Sequence, residues 1–168
     1  MSARDDILSA IRAAAVPPSP PVHVPSAGGS IDGVHDRFLR MLAEVGGQGV
    51  IRPTDQPMDV AIRRLCGGDA PAVLTVRGRF AVAENAAVYV DAADVAARNA
   101  IMLAEHVLLV VPYAAIVPTM HEAMRLMPSE SACGWFLSGP SKTADIEQSL
   151  VFGAQGARTL RVIFDAPA

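Results

Sequence analysis

The stretch HVLLVV at residues 106–111 constrains the fold more than any other. A strand with one face in water alternates apolar and polar side chains. This run is apolar without interruption from Val107 onward, as a strand covered on both faces requires. Such strands belong to largely parallel sheets flanked by helices. The competing reading is a membrane span, since the mean hydropathy of the chain is +0.32. However, Val107 to Val117 follows Glu105 and His106, is broken by Pro112, and is much shorter than the ~20 residues a spanning helix needs. Buried strand is the better assignment.

Around this anchor, helical and strand patterns alternate. Phe38, Leu39, Leu42 and Val45 recur at helical spacing and stop at Gly46-Gly47, a glycine pair suited to a helix end. Residues 49–52 predict a short strand, and Met58 to Cys66 a second helix ended by Gly67-Gly68. AVLTV at 72–76 and AAVYV at 86–90 predict strands, with the polar RGRFAVAEN between them. Asp91 to Asn99 fits helix or loop. Val117 to Met127 predicts a helix, GWFLS at 134–138 a strand, Lys142 to Phe152 a helix and TLRVIF at 159–164 a final strand. This order implies an α/β fold: an open, mostly parallel sheet with helices on both faces. Ligands in such sheets bind beyond the carboxyl ends of the strands. The turns after AVLTV and GWFLS are therefore the places to search.

Ahead of this body lies an arm. Ser2, then Asp5, Ile7, Leu8 and Ile11, reads as a capped amphipathic helix running to about Ala15. VPPSPPVHVPSAGG follows, with five prolines and two glycines, which makes it a linker. The division expected is an arm of residues 1–30 and an α/β domain of residues 31–168. At 168 residues the chain has room for one core. The N-terminus has neither the apolar segment nor the cleavage site of a secretory signal, and Asp5 and Asp6 argue against a mitochondrial presequence. A cytoplasmic location is expected.

Charge and metal-ligand patterns exclude several functions. A net charge of -3 with scattered basic residues gives no footprint for nucleic acid. Cys66 and Cys133 are the two cysteines, with no CxxC, and His23, His35, His106 and His121 have no paired ligand spacing. No metal site and no bound cofactor is expected.

The turn at Ser138–Thr143 draws the most attention. Gly134 and Gly139 have the separation of a phosphate loop, but Pro140 and Ser141 stand before Lys142-Thr143, so this is not a Walker motif and ATP hydrolysis is not implied. Two readings of the turn stay open. In one, a helix start after Ser141 leaves backbone N–H groups free for an anion, with Lys142, Ser138 and Thr143 adding charge and donors. In the other, Ser141 is a helix cap, Asp145 and Glu147 complement the helix dipole and Lys142 is solvated.

The residues here also resemble a known family. SGPSKTADIE, Ser138 to Glu147, with the following GxxGxxxLxVI at Gly153 to Ile163, resembles the closing motif of the lactate utilisation protein C family, whose shared unit is the LUD domain. FAVAENAAV around Glu84 is similar to a second hallmark, AIAETGT, and Arg98 with His106, VLLVV and the IVP at 116–118 to a third. AENAA replaces AETGT, and Gln155 stands where histidine is frequent. The resemblance implies a fold of the sugar-phosphate isomerase and CoA-transferase type. It also implies an accessory, cluster-free role in oxidising L-lactate to pyruvate beside iron–sulfur partner proteins.

Taken together, the expected site is one cleft at strand ends. Glu84 is its catalytic candidate, and Arg98, His106, Ser138, Gly139, Ser141, Lys142, Thr143 and Asp145 are its small-anion ligands. A free-standing acyl- or CoA-transfer enzyme using Glu84 as nucleophile, with Glu84 otherwise a buried carboxylate paired to Arg98 or Arg79, is one alternative. A structural module is the other. The apolar composition also allows a homo-oligomer.

Overall fold

The structure, a computed structural model, describes residues 3–14, 30–67, 72–91, 95–127, 133–144 and 150–166. The linker read into residues 16–29 lies outside the described residues, apart from the separate helix α1 (Ala3–Ala13) before it. The body begins with α2 (Val34–Glu44), β1 (Gln48–Arg52), α3 (Met58–Cys66) and β2 (Leu74–Arg77). Next come β3 (Phe80–Val82), β4 (Ala87–Asp91), α4 (Val95–Leu103), β5 (His106–Pro112), β6 (Ile116–Val117) and α5 (Met120–Arg125). The chain ends in β7 (Gly134–Leu137), β8 (Lys142–Ala144), β9 (Leu150–Phe152) and β10 (Thr159–Asp165).

Four strands form an all-parallel sheet in the order β1-β10-β5-β2. The VLLVV run of β5 is central, paired on one side with β10 and on the other with β2. Its alternate residues explain the uninterrupted apolar pattern. Val107, Leu109 and Val111 join Leu160, Val162 and Phe164 of β10 in a core shared with Phe38 and Leu42 of α2. Leu108 and Ile163 point the other way, onto Ala61 of α3. Both faces are covered, so neither admits a polar side chain. The α/β architecture with a helix-flanked parallel sheet is as the sequence implies.

A second sheet, in the order β6-β3-β4-β7, covers part of the same core. Its β3–β4 and β4–β7 pairs are antiparallel and its β3–β6 pair is parallel. Ala81, Val88 and Val90 face the main core, while Phe80, Val82 and Tyr89 face α5 around the buried Ala123. GWFLS therefore extends this second sheet and not the parallel one. The segment read only as a polar interruption holds the buried strand β3. Thr119 starts α5 by accepting a hydrogen bond from the Glu122 N–H, three residues after the expected start, because Ile116 and Val117 pair with β3 instead.

One helix expected from sequence is replaced. Lys142–Ala144 and Leu150–Phe152 are antiparallel strands, with Lys142 opposite Phe152 and Ala144 opposite Leu150. Residues 145–149, Asp145 and Glu147 among them, lie outside the described residues. Backbone tethers select the extended form: Ser141 N–H donates to the Ala157 carbonyl, and Gly153 N–H donates to the Ser141 carbonyl. Ser141 is a junction between segments and caps no helix.

Candidate functional site

The Ser138–Lys142 turn is held from three sides. Gly139 has φ +68, and a Cβ placed there would approach both the side chain and the carbonyl oxygen of Val45 to 2.8 Å. Only glycine suits this position, for conformation and for space. The 153–157 loop binds Ser141 through the two backbone bonds just described. From the third side, Ser138 Oγ donates to the Asn85 carbonyl at 2.6 Å. The two halves of the closing motif, around Ser138 and around Gly153, are thus one structural unit. The turn of the second hallmark adjoins it.

A cleft of about 290 Å³ opens beside this unit. Ile101 and Met102 of α4, Val107 of β5, Leu137 of β7 and Leu160 of β10 supply apolar wall. Ser138, Ser141, Lys142 and Gln155 supply the polar side chains, and Lys142 is the one charged residue of the lining among the described residues. Lys142 is exposed, its Nζ 5.6 Å from the centroid of the Phe152 ring. The ring face favours the cation without neutralising it. The ammonium therefore keeps its capacity to pair with an anion.

The cleft is not at the carboxyl ends of the parallel strands. Val107 and Leu160, which pair across β5 and β10, sit near the amino ends of those strands. The physical reason is the second sheet: β7 runs antiparallel to β4, so its carboxyl end meets the opposite end of the parallel layer. At the carboxyl ends themselves, Asp165 is held by Arg52, and the His35 ring stacks on Tyr113 with centroids 3.9 Å apart. A hollow of about 330 Å³ beside Arg77 and Tyr113 lies there as well.

Of the residues singled out in the sequence, Ser138, Gly139, Ser141 and Lys142 line the cleft. Arg98 lies on α4 three and four residues before the lining residues Ile101 and Met102 and is outside the lining. His106 immediately precedes Val107 but its Nδ1 is 2.8 Å from Thr159 Oγ1, which pins the two strand starts together. Thr143 is exposed on β8 and outside the lining. Asp145 falls outside the described residues.

Glu84 is placed differently from the sequence reading. Its carboxylate is exposed and accepts the Met120 N–H at 2.8 Å, so it tethers the Ala83–Ala86 turn to the start of α5. It is not a buried partner of Arg79, which pairs instead with Asp91 at 3.3 Å. Within this turn Ala86 has φ 53, the left-handed region that glycine favours. It stands where the AETGT pattern has its glycine.

The apolar lining residues Ile101, Val107 and Leu160 escaped sequence reasoning because each looks like ordinary core. Gln155 was noted only as a departure. Its place in the lining follows from the loop that binds Ser141, a link without a local sequence signal.

A parallel sheet clad by helices and a second sheet, with a small half-apolar cleft at a glycine turn, defines the chain as an α/β domain. The match to the LUD domain covers residues 72–164, more than half of the chain, and the chain belongs to that family. It is similar to "Lactate utilization protein C 1" of Bacillus mycoides (strain KBAB4), 40% identical over 76 residues, which cover 40% of this chain and 32% of that protein. It is also similar to "Lactate utilization protein C" of Bacillus velezensis (strain DSM 23117 / BGSC 10A6 / LMG 26770 / FZB42), 32% identical over 82 residues, covering 45% of this chain and 34% of that protein. The matched stretch thus spans about a third of each relative's length. The fold is shared with the crystal structure of a DUF162 family protein from Deinococcus radiodurans, at a TM-score of 0.57 and 16% identity over 81% of this chain and 98% of that one. No helix among the described residues is long and apolar enough to cross a membrane.

Proposed function

We propose that this chain is an accessory, cluster-free subunit of a lactate-utilising system and holds a small carboxylate in the cleft at Lys142. The observation that carries the reading is the composition of the cleft: one unneutralised cation beside hydroxyls and an amide, facing a wall of aliphatic side chains. A short carboxylate with a small apolar end, such as lactate or pyruvate, fits such a division, with its charge on Lys142 and its carbon chain against Leu137 and Ile101. Because the residues directly after Ser141, Lys142–Ala144, form a strand, no helix starts at Ser141 to supply a dipole to the turn. Lys142, the Ser141 hydroxyl and the Gln155 amide carry the recognition, since the Ser138 hydroxyl already donates to the Asn85 carbonyl.

In this reading the oxidation itself takes place with separate iron–sulfur proteins in the cytoplasm, and this chain supplies binding and positioning. The names of the two relatives support the lactate context. Glu84 acts as a tether: an exposed carboxylate already engaged with a backbone N–H lacks the desolvated setting that raises nucleophilic reactivity. The test is reconstitution. The purified chain alone should not reduce an acceptor dye with L-lactate, and adding it to the iron–sulfur proteins of the same system should raise their lactate-dependent dye reduction. Reduction by the chain alone, or no effect on the partners, contradicts the accessory role.

A further inference from the structure

The tripeptide Arg77-Gly78-Arg79 ends β2 and turns the chain into β3. Gly78 is buried where no side chain fits, since a Cβ there would lie 2.5 Å from Val88 Cγ1 and 2.9 Å from Val111 Cγ2. Its N–H donates to the Val110 carbonyl, and the Arg79 N–H donates to the Tyr89 carbonyl, so the backbone at both arginines is fixed. The two side chains then part. Arg79 meets Asp91 at 3.3 Å. Arg77 is exposed and has neither a hydrogen bond nor an ion pair among the described residues.

The Arg77 guanidinium lines the hollow of about 330 Å³ at the carboxyl ends of β2, β5 and β10. Register places Arg77 beside Val110 and Asp165 beside Pro112, so these four residues share one face of the sheet. Val110, Pro112, Tyr113 and Ala114 give the hollow its apolar side. Asp165 is the acidic group of the lining, and Arg52 already pairs with it. Arg52 is itself fixed, donating to the Gln56 and Ala166 carbonyls. The charge left over in the hollow is therefore the one on Arg77.

We propose that this hollow is a second ligand site, separate from the Lys142 cleft, for a monocarboxylate with a branched or aromatic apolar body. A guanidinium fork matches the two oxygens of a carboxylate, and a single unpaired cation balances a monoanion. The wall of Val110, Pro112 and Tyr113 suits an apolar body. It holds no counterpart of the Ser141 hydroxyl and Gln155 amide that the Lys142 cleft offers to a hydroxy or oxo acid. The place is also the one where open α/β sheets receive ligands, beyond the carboxyl ends of their strands. Val107 lines the Lys142 cleft, and Val110 and Pro112 line this hollow, so the two sites lie at opposite ends of β5.

Isothermal calorimetry of the full chain with benzoate and 3-methylbutanoate, beside inorganic phosphate, tests the site. Both acids should bind the wild type, and Arg77→Gln should weaken them at least about tenfold, the worth of one charge-assisted pair. The unfolding curve of Arg77→Gln should match the wild type, because the replaced side chain is exposed. Lys142→Ala should leave the affinity for benzoate unchanged, so this proposal and the lactate reading of the Lys142 cleft fail separately. Neither acid binding the wild type, an affinity indifferent to Arg77→Gln, a loss produced instead by Lys142→Ala, or phosphate binding at Arg77 more tightly than either acid overturns the proposal.

Discussion

The β5 strand and the β8–β9 hairpin both carry short apolar runs, VLLVV and LVF, and reach opposite environments. Leu108, Leu109 and Val111 are fully buried, whereas Leu150, Val151 and Phe152 are all exposed. The first run has a paired strand on each side and cover on each face. The hairpin has its own two strands and the tethers through Ser141. Composition alone does not decide burial; the number of neighbours a segment can recruit does. The consequence is that stability is concentrated in the parallel sheet and the hairpin is a lightly held edge, which is where the proposed ligand contact of Lys142 falls.

The largest expected effect is in the sheet. Leu109→Ala should cost about 2–5 kcal/mol, as for other fully buried leucines, while Val151→Ala, measured at low protein concentration, should stay within about 0.5 kcal/mol. Urea denaturation of both variants checks the contrast. Similar costs would break it by showing that the hairpin is packed as tightly as the core.

Gly139→Val should cost about 2–4 kcal/mol from left-handed strain and collision with Val45, so one position in the turn is as demanding as the sheet. Thermal unfolding reads this directly, and a near-neutral outcome would mean that the turn adopts another backbone.

Glu84→Ala should lose about 0.5–1.5 kcal/mol through the Met120 hydrogen bond, and Glu84→Gln less, because an amide oxygen still accepts. Ligand affinity should stay unchanged in both. If affinity collapses in Glu84→Gln while stability holds, Glu84 belongs to the chemistry of the site.

The smallest effect is at Tyr89, whose buried hydroxyl has no hydrogen-bond partner among the described residues. Tyr89→Phe should be neutral or up to about 1 kcal/mol stabilising. A clear loss of stability would reveal a partner for that hydroxyl in solution.

The same contrast explains what was legible in the sequence. β5, β10, α2 and α3 could be read because a doubly covered strand or an amphipathic helix writes a pattern long enough to recognise. β3 could not: its three residues sit between Arg79 and Glu84, too few for a period to show. The hairpin was misread because Lys142 to Phe152 has apolar residues compatible with a helix, while the bonds that extend it come from Gly153 and Ala157. In the cleft, Ser138, Gly139, Ser141 and Lys142 stood out as a glycine turn with a lysine. The opposite wall of Ile101, Val107 and Leu160 depends on the packing of the second sheet against the first, which pairs β4 with β7 across distant sequence.

The central claim is that Lys142 gives the cleft its affinity for a small carboxylate. Isothermal calorimetry with L-lactate and pyruvate, on the wild type and on Lys142→Ala, tests it most directly. The account predicts binding to the wild type and a loss of about tenfold to a hundredfold in the variant, the worth of one charge-assisted hydrogen bond. Unfolding curves should superimpose, because an exposed lysine adds little to stability. Equal affinities for the two proteins, or no binding of either acid to the wild type, would contradict it.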